Sequence, residues 1–367
     1  MPKFFCCLFL LVSLAGSAQS YQKIHNKAVV IDTHNDVLST ITMKGLDIEN
    51  DLTGKSHSDI ARFKKAGMDI QVFSIFCDER FGKDTAFKYA NIEIDSLYAI
   101  VARNKDKMMI VTNPKQLQQA VKQNKLGCMM GVEGGHMIED NLNYLDALYK
   151  RGARYMTLTW NNSSSWATSA FDETRKKDSL PHKGLTDFGK QVVKKMNELG
   201  MIVDISHVGE QTFWDAIQTT TKPVIASHSC VYNLCPVPRN LKDDQIKAIG
   251  KNGGVIHLNF YSGFIDSNYN RGKTAFLQKH KQEVEAYRPD LSQLLNHLDY
   301  IVKMIGIDHV GLGSDFDGIE SAPRPLDDVT SFPLITKALT ERGYSKKDIE
   351  KILGRNFIRV FKANQNN

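Results

Sequence analysis

Eight short apolar runs rich in valine and isoleucine recur along this chain, and the segments between them carry apolar residues at helical spacing. Such alternation confines the chain to βα units around a parallel sheet, because parallel neighbours need a crossover long enough to hold a helix. The runs extend from Ala28 to Asp36, Met68 to Phe76, Leu126 to Gly134, Ala153 to Asn161, Met201 to Val208, Pro223 to Ser229, Gly254 to Phe260 and His309 to Phe316. Between the fourth and fifth, Thr186 is a helix N-cap candidate. Phe188, Val192, Val193, Met196 and Leu199 then keep the 3.6-residue period, and Gly200 ends it. Leu294, Leu298, Ile301, Val302 and Ile305 repeat the pattern before Gly306, and a last helix is predicted from about Ser345 to Lys362. No linker rich in proline, glycine or serine breaks the series, so residues 21–367 read as one domain. Eight uninterrupted units favour a closed (β/α)8 barrel of the TIM type, with an open doubly wound sheet as the alternative.

The amino terminus has a different character. Lys3 precedes an apolar run from Phe4 to Leu14, followed by Ala15, Gly16, Ser17, Ala18 and Ser20. This is the pattern of a signal peptide spanning residues 1–20, cleaved after Ala18 or Ser20, and it predicts export to the periplasm or secretion. The run is too short to span a bilayer, and no later segment reaches about 18 uninterrupted apolar residues, so no transmembrane segment is expected in the mature chain. A formal net charge of +6 is spread along the sequence without a basic stripe, which argues against nucleic acid as a partner. Neither a dinucleotide fingerprint nor a phosphate loop is present. Cys77, Cys128, Cys230 and Cys235 fit no compact zinc knuckle and are expected to be buried thiols or one optional bridge.

In a barrel of this kind the chemistry sits at the carboxyl ends of the strands. The first run ends His34-Asn35-Asp36, and alternation along a strand points His34 and Asp36 the same way. Glu133, His207, His228 and Asp315 close the third, fifth, sixth and eighth runs. Any one of these alone is more often a hydrogen-bonded structural residue than a ligand. Together they are an imidazole and carboxylate set suited to zinc, larger than one tetrahedral ion with an open position needs. Two metals bridged by Glu133 would use the set economically, clamping a hydroxide nucleophile and polarising a carbonyl while one carboxylate moves protons. The other histidines, His25, His57, His136, His182, His257, His280, His297 and His309, read as structural or surface residues, with His136 the nearest to an exception.

From about Val30 to Lys362 the chain resembles the membrane (renal) dipeptidases, peptidase family M19, of the amidohydrolase-like metal-dependent hydrolases. The resemblance is carried by Asp32-Thr-His-Asn-Asp36, Gly131-Val-Glu-Gly-Gly-His136, Arg154-Tyr-Met-Thr-Leu-Thr159, Asp204-Ile-Ser-His207, Ser227-His-Ser229, Arg239-Asn240, Asn259-Phe-Tyr261 and Gly313-Ser-Asp-Phe-Asp-Gly318, in that order. It implies two zinc ions per chain, His34 and Asp36 holding the first, His207 and His228 the second, and Glu133 bridging. It further implies that Asp315 handles the proton at the attacking water and that Arg239 holds the terminal carboxylate of a small peptide substrate, a task suited to a bidentate guanidinium. A homodimer is part of the same expectation. The resemblance implies a zinc-dependent dipeptidase; a related amidohydrolase cutting another C–N bond, in an N-acyl amino acid or a β-lactam, is the second reading, and a noncatalytic metal-binding barrel the third. One departure stands out. The family usually has a histidine after the Thr-Leu-Thr of the fourth run, where it contacts substrate and the developing oxyanion, and this chain has Trp160. An indole N–H donates one hydrogen bond but carries no charge, so Trp160 is expected to form an aromatic wall of the substrate pocket, with Asn161 or Asn162 as a replacement donor.

Overall fold

The computed structural model describes residues 21–272 and 285–365. The predicted signal segment and His280 lie outside the described residues. Nine parallel strands form the sheet: β1 Ile31–Asn35, β2 Ile70–Ile75, β3 Met108–Ile110, β4 Leu126–Glu133, β5 Ala153–Thr157, β6 Ile202–Asp204, β7 Ile225–Ala226, β8 Val255–Leu258 and β9 Val310–Leu312. Eight of them run in the order β1-β2-β4-β5-β6-β7-β8-β9, each beside its sequence neighbour apart from β3, which pairs with β4 off the ring. The last strand returns to the first. Asn35 bridges Phe316 in parallel, the Asp36 amide donates to the Phe316 carbonyl at 2.8 Å, and the Asp315 amide donates to the His34 carbonyl at 3.0 Å. These bonds close a (β/α)8 barrel and exclude the open sheet. All eight predicted runs are barrel strands; β3, off the ring, is not among them.

Alternation along the strands divides the core. Ile31, Ile70, Val72, Met129, Tyr155, Ile202, Ile225 and Val255 point into the barrel and pack with Phe357, Val360 and Phe361 of the last helix. The alternate residues pack outward under the helices. The interior is therefore solid at the amino end of the strands, and the site has to lie at the carboxyl end. Helix Asp187–Leu199 shows how local chemistry places the elements. Thr186 accepts from the Gly189 amide, and Gly200 takes φ +82° to end the turn where β6 must start. The final helix departs from a single regular element. It runs Lys346–Glu350, widens into a π turn at Lys351–Arg355, and resumes over Asn356–Asn364. Gly354 lies in that turn against Val29 and Ile31, where a Cβ would stand 2.4 Å from the Val29 carbonyl oxygen. The close approach to β1 accounts for the local widening.

Two irregularities prepare the site. Asp32 pairs with Gln71 and Asn35 with Phe73, so three steps on β1 match two on β2. This bulge changes the facing of β1 between Ile31, in the lower core, and His34, at the centre above it. The second is at Gly131, where a Cβ would lie 2.0 Å from the Tyr155 ring. A bare backbone there lets the Tyr155 side chain cross the barrel interior to β1.

Candidate metal centre and substrate cavity

The six residues read from strand ends converge. Glu133 lies at their middle: its Oε1 is 3.0 Å from His207 Nε2 and 3.6 Å from His228 Nε2, and its Oε2 is 3.4 Å from His34 Nε2. His34 Nε2 is also 3.5 Å from Asp36 Oδ2 and 3.9 Å from Asp315 Oδ1. His34, Asp36 and Glu133 form one group with metal-ligand spacing; Glu133, His207 and His228 form a second, and His34, His228 and Asp315 a third. As expected, Asn35 points elsewhere, donating to Ser58 Oγ at 3.0 Å.

Hydrogen bonds fix the tautomer of each imidazole. The Tyr155 hydroxyl donates to the Thr33 carbonyl at 3.0 Å and so accepts from His34 Nδ1 at 2.8 Å. Ser227 Oγ donates to Asp204 Oδ2 at 2.6 Å and accepts from His228 Nδ1 at 2.8 Å. His207 Nδ1 donates to Asn161 Oδ1 at 3.2 Å. Each ring therefore turns an Nε2 lone pair toward Glu133, and the His207 and His228 Nε2 atoms stand 2.9 Å apart. Lone pairs so arranged repel one another unless a cation lies between them, and outer partners of this kind are what orient metal-binding histidines. His34 Nε2 and Asp36 Oδ1 are buried without a hydrogen bond.

Electrostatics point the same way. Burial pushes Asp315 well above the ordinary carboxylate range; His34 opposes that shift, while the Asp36 and Glu133 carboxylates add to it. His207 is pushed down to about 3 by burial and by the Arg239 cation. His228 is likewise pushed well down by burial and by the neighbouring cationic groups, whereas burial at His34 is outweighed by Tyr155, Glu133 and Asp36, which raise it. Three carboxyl groups crowded in a buried space with three imidazoles form a donor set that divalent cations fit. His207 and Asp315 adopt φ values of +65° and +62°, unusual for residues with a side chain, so the turns at the ends of β6 and β9 are bent to aim these groups inward.

Above the centre opens a cavity of about 400 Å³ bounded by Phe76, Trp160, Asn161, Arg239, Tyr261, Phe264 and Asp315, among others. Arg239 follows β7; its guanidinium donates to the His228 carbonyl at 3.3 Å, faces the Phe264 ring at 5.3 Å, and keeps Nε buried without a partner. Trp160 packs on Phe76 at 4.9 Å and lies 6.5 Å from His207. Asn161, read from sequence as a replacement donor, lines the cavity, and its Oδ1 accepts from His207 Nδ1.

Sequence reasoning gave no role to several groups that shape the site. Ser74 donates to Glu133 Oε2 at 3.2 Å, and Asn259 Nδ2 donates to Asp315 Oδ2 at 2.8 Å. Tyr155 and Asn259 stand inside the quoted motifs, but contact across the barrel leaves no mark in residue spacing. The remaining described histidines are spread through the fold. His136 binds the Cys77 carbonyl at 2.9 Å, His25 bridges Thr336 and Ala66, and His257 binds the Ala226 carbonyl. Cys77, Cys128, Cys230 and Cys235 are all buried free thiols. No helix among the described residues is long and apolar enough to cross a membrane.

Comparison with known proteins agrees with this geometry. An uncharacterised dipeptidase of Schizosaccharomyces pombe is 33% identical over 366 residues, covering 95% of this chain and 83% of that protein. The fold is shared with the probable dipeptidase PvdM from Pseudomonas aeruginosa at a TM-score of 0.83 and 23% identity, over 96% of this chain and 99% of that one. A Rhodobacter sphaeroides metallo peptidase, solved with a phosphinate mimic of the dipeptide L-Ala-D-Ala, superposes at 0.79 with 22% identity, over 92% and 99% of the two chains. The sequence profile of the membrane dipeptidases matches residues 18–367. This chain, with its barrel and its buried imidazole and carboxylate cluster, belongs to the membrane dipeptidase family, peptidase family M19.

Proposed function

We propose that the chain is a zinc-dependent dipeptidase that hydrolyses the peptide bond of free dipeptides. The observation that carries this reading is the set of three Nε2 lone pairs turned on Glu133, with a guanidinium beside them in one small cavity. In this reading His34 and Asp36 hold one ion, His207 and His228 the other, and Glu133 serves both. When bound, such a pair supplies Lewis acidity at the scissile carbonyl and lowers the pKa of water. Asp315, held by Asn259 Nδ2, takes the proton of the attacking water and returns it to the leaving amine. Arg239 receives the substrate's α-carboxylate on the free face of its fork. A cavity of about 400 Å³ is large enough for a dipeptide. The pattern from Lys3 to Ser20 supports a periplasmic or secreted location.

The Trp160 position favours a second reading, a related amidohydrolase acting on an N-acyl amino acid or β-lactam, because an uncharged indole replaces an imidazole at the oxyanion side. A panel of L,L- and L,D-dipeptides, N-acylated amino acids and a β-lactam separates the two. Cleavage of free dipeptides that a chelator abolishes and zinc restores is the expected result. Turnover of the acylated set alone would transfer the assignment to the second reading.

A further inference from the structure

The aromatic pair at the cavity wall has a buttress that the hydrolytic chemistry does not use. Glu93 lies on helix Ala86–Arg103, whose buried face is otherwise Ala86, Ala90, Ile94, Leu97, Ile100 and Val101. It is wholly buried, and its Oε2 accepts from the Phe76 amide at 2.7 Å. Placing a carboxyl group in an apolar helix face is costly unless it is bonded. Its bond goes to the backbone of Phe76, and Phe76 in turn packs against Trp160.

The ring order gives this wall a direction. β2, which leads to Phe76, and β7, which leads to Arg239, face each other across the barrel, with β4, β5 and β6 between them on one side and β8, β9 and β1 on the other. A dipeptide with its carboxylate on Arg239 and its peptide bond over Glu133 extends its N-terminal residue toward Phe76 and Trp160. Resting on the dipeptidase reading, we propose that Phe76 and Trp160 form a subsite for an apolar, above all aromatic, N-terminal side chain, and that Glu93 is the positioning residue that sets it. Aromatic rings with centroids 4.9 Å apart and tilted at 56° offer an angled apolar surface and no charge, which selects against Gly, Asp and Lys at that position.

The test is the kcat/KM of the zinc-loaded protein for Phe-Ala, Leu-Ala, Gly-Ala and the reversed Ala-Phe and Ala-Gly. Burying a large apolar side chain leads us to expect Phe-Ala to exceed Gly-Ala by roughly 10- to 100-fold, with no comparable gain for Ala-Phe over Ala-Gly. In Trp160→Ala the ratio of Phe-Ala to Gly-Ala falls toward one. Glu93→Ala lowers the same ratio, and Glu93→Gln, which keeps an acceptor for the Phe76 amide, retains it. A phosphinate mimic of Phe-Ala changes tryptophan fluorescence in the wild type and not in Trp160→Phe. Equal kcat/KM for Phe-Ala and Gly-Ala, or a preference that survives Trp160→Ala, overturns the subsite while leaving the dipeptidase reading intact. Failure to cleave any free dipeptide sinks that reading, and the subsite with it.

Discussion

The hydroxyl of Tyr155 meets Nδ1 of His34 at 2.8 Å, reaching through the barrel interior from β5 to β1 past β4 and β2. It reaches there because Gly131, on the intervening β4, leaves the space that the ring fills. The bond sets which nitrogen of His34 faces the centre. Removing it in Tyr155→Phe leaves the ring in place and the tautomer unfixed. Zinc affinity, measured by competition with a chromophoric chelator, is expected to fall roughly 10- to 100-fold. Undiminished affinity would show that the phenol only fills space.

Asp315 stands 3.9 Å from His34 Nε2 and is held at its other oxygen by Asn259. Asp315→Asn keeps the shape and the hydrogen-bonding capacity but not the proton acceptor. The expected loss in kcat is on the order of 10²- to 10⁴-fold with thermal stability close to wild type. Wild-type turnover in this variant would remove Asp315 from proton transfer.

Arg239 is the cation beside Asp315, Glu133 and Asp204, and its Nε has no partner among the described residues. Replacement by Ala is expected to cost roughly 10- to 100-fold in kcat/KM for free dipeptides, the scale of a lost charge-assisted pair. Dipeptide amides, which offer no carboxylate, should lose much less. Equal losses on both substrate types would assign Arg239 to the electrostatics of the centre and not to recognition.

Acid sensitivity follows from a histidine remote from the site. His297 accepts from the Val231 amide at 3.0 Å and donates to the Ile265 carbonyl at 3.0 Å, joining the segments after β7 and β8. Burial pushes its pKa down to about 4, against the pull of the Ile265 carbonyl and Asp266. Below pH 6.5 the unfolded chain takes up a proton that the folded chain refuses. Its contribution to stability is therefore complete above pH 6.5 and is lost as the pH falls toward 4, at most roughly 3 kcal/mol. Urea unfolding of the chelator-treated protein between pH 7 and 4.5 is expected to show this slope, and His297→Gln to flatten it by about one proton. An unchanged slope would mean that His297 is not the titrating group.

Much of the architecture is written in order along the chain. The eight Val- and Ile-rich runs, the Thr186 cap and the Gly200 stop act between near neighbours, and local propensity together with period sufficed to place them. His34, Asp36, Glu133, His207, His228 and Asp315 were legible for a related reason: a strand's carboxyl end is a fixed address in a barrel, so residue type and position in the run predicted their convergence. The tertiary structure decided what depends on facing. A one-residue bulge turns β1 between Ile31 and His34, Gly131 opens a path for Tyr155, and the Oδ1 of Asn161 accepts from His207. Glu93 and Phe76 are 17 residues apart in sequence and bonded in space. Sequence period records which residues share a face of one element. Only closure of the ring determines which faces meet, because that is fixed by strand register and by the volume each side chain leaves to its neighbours.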